Sequence, residues 1–237
     1  VIFGITASSA WEKWLLLQNS VNFNISDHVH NKDVAFYVFQ LPFFEFLQNW
    51  LLGVGLVILF GSLAVLFINF GVRGIKFSFT KQVKSLIFGI SGVIMIIVAF
   101  GHWINLWKLL LSDVGVVFGA TYADINARLP GLIIMIVIAL LVSVLFFVNS
   151  YLGRNKLFVA GILFWGASAL IFTGLWPNAL QRITVNPNEF TRENEYISRN
   201  IEYTRKAYGL DKIKETVYPV DKTINADLVR ANLQTIE

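Results

Sequence analysis

No cysteine occurs among the 237 residues. Disulfides, thiol catalysis and Cys-ligated metals are therefore excluded. The lack of a disulfide framework suits any compartment. Charge is scarce as well. Asp, Glu, Lys and Arg make up 14% of the chain, where a soluble domain carries about 25%. A net charge of +4 is too small to argue for nucleic acid as a partner. Gly-rich phosphate loops, a Ser/His/Asp order and a His-Glu-x-x-His run are all missing. The chain opens at Val1 inside an apolar run, Val1-Ile-Phe-Gly-Ile-Thr-Ala7, and closes on Leu233-Gln-Thr-Ile-Glu237. We read it as part of something longer, and such a start says nothing of a signal peptide.

What is abundant is apolar and aromatic. Hydrophobic residues reach 56%, with 21 Phe and 7 Trp. Residues 43–70, 86–111, 132–151 and 157–176 are long enough to cross a bilayer, which needs ~20 residues. Residues 1–18 read as the end of a truncated span, with Trp11 and Trp14 as interfacial anchors around Glu12 and Lys13. The expected fold is all-α: a polytopic transmembrane bundle of about four full spans plus one truncated. A small, mainly helical extracytoplasmic tail follows. The boundary falls at Trp176-Pro177, giving a transmembrane region 1–176 and a soluble segment 177–237. Gly166, Ala167, Ser168 and Ala169 would allow close helix contact in the fourth span.

Sidedness follows from charge. The segment 71–84 carries Arg73, Lys76, Lys81 and Lys84 and no acid. The turn 152–156 adds Arg154 and Lys156. Connectors 19–41 and 112–130 carry Asp27, Asp33, Asp113 and Asp124 against Lys32 and Arg128. Lys and Arg accumulate on the cytoplasmic side. Segments 71–84 and 152–156 are expected there, and residues 177–237 outside. In the tail, residues 193–208 read as an amphipathic helix. Ile197, Ile201, Thr204 and Tyr208 form its stripe. Glu193 and Glu195 sit at its positive end, Arg205 and Lys206 at its negative end, and Gly209 closes it. Residues 215–219 read as extended and 226–235 as helical.

Few groups could carry chemistry. His28 and His30 would share one face of a strand, near Asp27 and Asp33, but a zinc site wants about four ligands with support behind them. A polar loop at headgroup depth is the better reading. His102 and Asn105, at the wet end of a span, read as interfacial anchors. Glu45, with Gln48 and Asn49, reads as a wet interface. Asp124 and Arg128 would form one i,i+4 pair in a structured re-entry. No catalytic, cofactor-binding or metal-ligating residue is assigned, and no cofactor. The expected partners are the bilayer, and self-association or envelope proteins.

Four segments carry a resemblance: Phe36-Tyr-Val-Phe-Gln-Leu-Pro42, Gly119-Ala-Thr-Tyr-Ala-Asp-Ile-Asn-Ala-Arg-Leu-Pro130, Gln181-Arg-Ile-Thr-Val-Asn-Pro-Asn-Glu189, and Glu195-Tyr-Ile-Ser-Arg-Asn-Ile-Glu-Tyr-Thr-Arg-Lys-Ala-Tyr-Gly-Leu210. In order, they resemble uncharacterised protein family 0182, large bacterial membrane proteins. The resemblance implies N-terminal membrane helices followed by a large extracytoplasmic region. It supplies no activity and no catalytic residues. The expected function is an envelope protein whose helices anchor an outer domain for assembly. A lipid or solute transporter is the alternative, and a membrane enzyme stands last.

Overall fold

The computed structural model describes residues 2–72, 80–113, 115, 118–214, 216 and 226–232. Arg73 and Lys76, the extended reading of 215–219 and the end of the last expected helix lie largely outside them. Contacts divide the chain into two units, Val1–Asn200 and Ile201–Glu237.

In the first unit, α1 (Ile2–Ser8) and α2 (Trp11–Gln18) are short. Then come α3 (Leu41–Val72), α4 (Lys81–Lys108), α5 (Leu129–Leu152) and α6 (Asn155–Ala169). With their flanking turns they make four helical runs long and apolar enough to cross a membrane: Phe36–Val72, Lys81–Leu111, Asp124–Leu152 and Asn155–Ala207. The first and third begin earlier than the apolar runs that announced them. The fourth continues through α7 (Trp176–Leu180) into α8 (Glu189–Ala207).

Pro177 was expected to close that fourth helix, and it does not. Pro42, Pro130, Pro177 and Pro187 each follow a π turn: Phe36–Gln40, Asp124–Arg128, Leu170–Leu175 and Gln181–Val185. Each turn ends two residues before its proline. The residue just before each proline donates its N–H to the carbonyl five back: Leu41 to Phe36, Leu129 to Asp124, Trp176 to Ile171 and Asn186 to Gln181. Proline has no N–H, and its ring crowds the carbonyl four residues back. One extra residue in the preceding turn widens the helix there. The helix then passes the proline without breaking.

Helices α4 and α5 form the inner pair. Met95 and Ala99 pack on Met135, Ile138, Ala139, Val142 and Phe146. Between them the Ser143 hydroxyl donates to the Gly92 carbonyl at 2.8 Å. Helix α3 packs on α4 through Leu59, Leu63 and Leu66 against Val83, Ile87 and Phe88. Helix α6 packs on α5, where the Phe158 ring stacks on Phe88 at 4.4 Å and lies 4.8 Å from Phe146. In the most apolar stretch of each inner run 39% of residues are buried. The outer runs have 6% and 11%, so most of their surface has no partner among the described residues.

Close approach falls on other glycines than the expected stripe. A Cβ on Gly166 would meet no neighbouring helix within 4 Å among the described residues, and Ala167 is exposed, although Ser168 is buried. A Cβ on Gly131 would stand 2.5 Å from the Phe172 carbonyl oxygen, and one on Gly161 would stand 2.6 Å from the Phe146 ring. Small residues at contacts let helix backbones approach. Here those residues are Gly131 and Gly161.

The second unit holds the end of α8, where Lys206 pairs with Glu202 at 2.6 Å. Gly209 ends the helix in the left-handed conformation, φ 66°, as expected. A short helix, α9 (Ala226–Ala231), follows.

Candidate functional site

The start of the third long run is built by carboxylates. Thr121-Tyr-Ala-Asp124 is a reciprocal capping box. The Asp124 N–H donates to Thr121 Oγ1 at 3.2 Å, and the Thr121 N–H donates back to Asp124 Oδ2 at 3.0 Å. The Thr121 hydroxyl donates to the same oxygen at 3.0 Å, and Arg128 Nη1 donates to Oδ1 at 2.7 Å. Asp124 is fully buried, and both its oxygens are used. The i,i+4 pair expected from sequence is present, across a π turn rather than an α turn.

A second carboxylate reaches this terminus from α8. Glu193 was expected at the positive end of a helix starting there. Instead α8 begins at Glu189, and Glu193 is 4% exposed. One N–H, that of Tyr122, serves both of its oxygens, each at 3.2 Å. Burial pushes the Glu193 carboxyl above the ordinary glutamate range, and the Asp124 and Glu189 charges add to this. The Tyr122 N–H pulls the other way without prevailing. Arg192 lies over the Tyr122 ring at 5.2 Å, and Asn200 Nδ2 donates to the Phe118 carbonyl at 2.5 Å. On α8 Glu193 is buried, and Tyr196, Ile197 and Asn200 are half-buried. Of the apolar stripe expected there, Ile197 is half-buried, whereas Thr204 is exposed, Ile201 is 52% exposed and Tyr208 78%.

Between these elements lies a cavity of about 320 Å³. Thr121, Arg128, Asn178, Gln181, Glu189 and Glu193 supply its polar wall, and Pro177 supplies apolar surface. Two of the four π turns end on or begin with a lining residue, Arg128 and Gln181. Its volume is at the small end of the ~300–1,000 Å³ range of ligand pockets.

The other expected residues are used locally. His28 and His30 lie in a turn and not on a strand. Asp27 accepts from the backbone N–H groups of Val29, His30 and Lys32 and from the Tyr37 hydroxyl at 2.6–2.9 Å. Burial raises its pKa, but these donors together hold it below the ordinary aspartate range. Asp33 accepts from Ala35, Phe23 and Asn24, and these bonds lower its pKa too. The His30 ring lies 3.1 Å from the Leu106 carbonyl and 4.6 Å from the Trp107 ring. Among the described residues no three of His, Cys, Asp and Glu are grouped to hold a metal. Glu45 pairs with Lys108 at 2.5 Å, both half-exposed. Asn105 is exposed, while His102 Nε2 is buried with no partner among the described residues.

The capping box was legible as Thr-x-x-Asp but was not singled out. The role of Glu193 comes from a residue 71 positions earlier, and no local pattern announces it.

Comparison with known proteins locates the chain. The profile of the uncharacterised protein family UPF0182 matches residues 1–237. UPF0182 proteins of Paenarthrobacter aurescens and Tropheryma whipplei are each 33% identical over 99% of this chain. One from Sulfurovum is 29% identical over all of it. The chain spans about a quarter of the length of these relatives: 24%, 25% and 26%. No solved structure matches it.

Proposed function

We propose that this chain, which belongs to the uncharacterised protein family UPF0182, is the multi-pass membrane platform of a bacterial envelope protein. Its bundle holds residues 177–200 in a fixed orientation on the extracytoplasmic side. The observation that carries the reading is the Glu193 carboxylate, buried against the Tyr122 N–H at the head of the third long run. A segment that only trailed from its last span would not bury a carboxylate. The fourth run adds to this. Its 53 residues have a contour of ~80 Å at 1.5 Å per residue, far beyond the ~30 Å of hydrocarbon. The apolar part, 157–176, suffices to span, and Glu193 stands some four turns past it.

Sidedness rests on charge. Lys84 Nζ reaches the Gly153 carbonyl at 3.3 Å, so two basic segments meet at one end of the bundle. That end is cytoplasmic by the positive-inside bias. Residues 177–200 lie at the other end. The outer region held there assembles with itself or with envelope partners.

Two measurements on the full-length protein test this, with any cysteine outside this region replaced. In intact cells, a membrane-impermeant maleimide should label Ser198→Cys, and Lys156→Cys only after lysis. The reverse pattern would sink the sidedness. In nanodiscs, Glu193→Ala should speed amide exchange across 189–200 while the inner pair stays protected. Unchanged exchange would reduce the segment to a tether.

A further inference from the structure

The cavity beside Glu193 holds charges of both signs at the level where apolar helices end. Arg128 stands just before the apolar run of α5, and Pro177 just after that of α6. Trp176, of the residue type that anchors at headgroup depth, packs on Phe172 at 6.0 Å. Two groups in the wall have few partners among the described residues. Glu193 is 4% exposed, and its two oxygens, with about four acceptor positions, share one long N–H bond from Tyr122. Buried carboxylates are ordinarily better served than this. Arg128 gives Nη1 to Asp124 and has further N–H groups to offer. Glu189 lines the mouth, one helical turn before Glu193 on the same face of α8.

The wall thus offers both N–H donors for an anion and carboxylates for a hydrogen-bonding cation. We propose that this cavity binds a phosphate–ammonium zwitterion of the ethanolamine-phosphate kind, with Arg128 on the phosphate and Glu193 and Glu189 on the ammonium. A primary ammonium carries three N–H donors, which Glu193 lacks. A trimethylated ammonium carries none, and a glycerol headgroup brings no cation. An aminophospholipid headgroup and a free phosphoethanolamine share this chemistry. The lipid source rests on the membrane reading above; the chemistry of the site does not.

The test uses full-length protein in nanodiscs containing equimolar phosphatidylethanolamine, phosphatidylcholine and phosphatidylglycerol. Native mass spectrometry counts the lipids retained. Phosphatidylethanolamine should be kept roughly tenfold over phosphatidylcholine, a difference of ~1.4 kcal/mol. Glu193→Gln should abolish the preference. Glu189→Gln, at an exposed site, should weaken it several-fold and serves if the first variant fails to fold. Glycerophosphoethanolamine is then titrated into protein in phosphatidylcholine discs. Saturable binding with no lipid preference assigns the site to a free solute. Equal retention of all three lipids without solute binding, a preference for phosphatidylglycerol, or an unchanged preference in both variants would overturn the proposal. Failure of the maleimide pattern with the solute still bound would remove only the membrane sidedness.

Discussion

The two ends of the bundle solve one problem with different chemistry. At the end where α4 starts and α5 stops, neutral groups close the backbone. Thr80 caps α4 by accepting from the Val83 N–H at 3.4 Å. Asn149 closes the next turn: its carbonyl accepts from Gly153 at 2.7 Å, and its side chain exchanges two bonds with Arg154 at 3.0 and 3.1 Å. The cations there lie at the rim. At the opposite end carboxylates do the closing. Asp27, Asp33, Asp124 and Glu193 each accept backbone N–H groups. The charge bias along the chain therefore has two meanings. The described bases at one end take no part in closing a helix by side-chain capping beyond the Lys84 contact to Gly153, while Asp27, Asp33, Asp124 and Glu193 at the other are committed to folding.

The largest break in that contrast is Asp124→Asn. It removes the buried partner of Arg128 and weakens the capping box. Breaking a buried pair costs ~3–5 kcal/mol, and Arg128 keeps some exposure, so about 3 kcal/mol is expected. SDS titration of the micelle-embedded protein measures this. A loss under about 1 kcal/mol would mean that the neutral amide caps as well as the acid.

Asn149→Ala is the counterpart at the basic end. Two side-chain bonds at about 1 kcal/mol each give about 2 kcal/mol. This loss should not vary between pH 4 and pH 8, since nothing at that cap titrates in the range; a clear pH dependence would break the comparison.

Next come two acids with opposite signs. The folded pKa of Asp27 is lowered, so its contribution is present above the ordinary aspartate value and is lost as pH falls through the lowered one. Asp27→Asn should cost about 1.5 kcal/mol at pH 7 and flatten the acid limb of the stability profile. Glu193 has a raised folded pKa, so its contribution is present below the ordinary glutamate value and is lost as pH rises through the raised one. Glu193→Gln should remove that decline toward neutral pH. Parallel profiles for the two variants would show that the two acids do not act with opposite sign.

The smallest effect is expected from Lys84→Ala, within about 0.5 kcal/mol, because its one bond is a 3.3 Å contact to Gly153 at the rim.

These contrasts also show what the sequence could carry. Four apolar runs were legible because hydrocarbon demands length and composition, and both are local. The Asp124–Arg128 pair was legible because i,i+4 is local as well. Pro177 was misread as a stop because proline breaks a helix of ordinary pitch, and the sequence does not display pitch. Gly166 was favoured over Gly131 because a run of small residues is visible, whereas the partner of Gly131 is the Phe172 carbonyl, 41 positions later. Glu193 was read only as a charge at the positive end of its own helix, because that is the local role a carboxylate there ordinarily has. The N–H that receives it belongs to another helix.

The wide turns have a rotational consequence. Each adds one residue, and one residue is ~100° of helix rotation. Two of them lie between α6 and α8, so the faces of α8 are set by residue count as much as by residue type. Deleting one residue from 181–185 would swing the Glu193 carboxylate about a quarter-turn away from Tyr122, with every side chain of α8 intact. The prolines act as detents on a screw, and the direction in which the Glu193 face of α8 points is stored in their spacing.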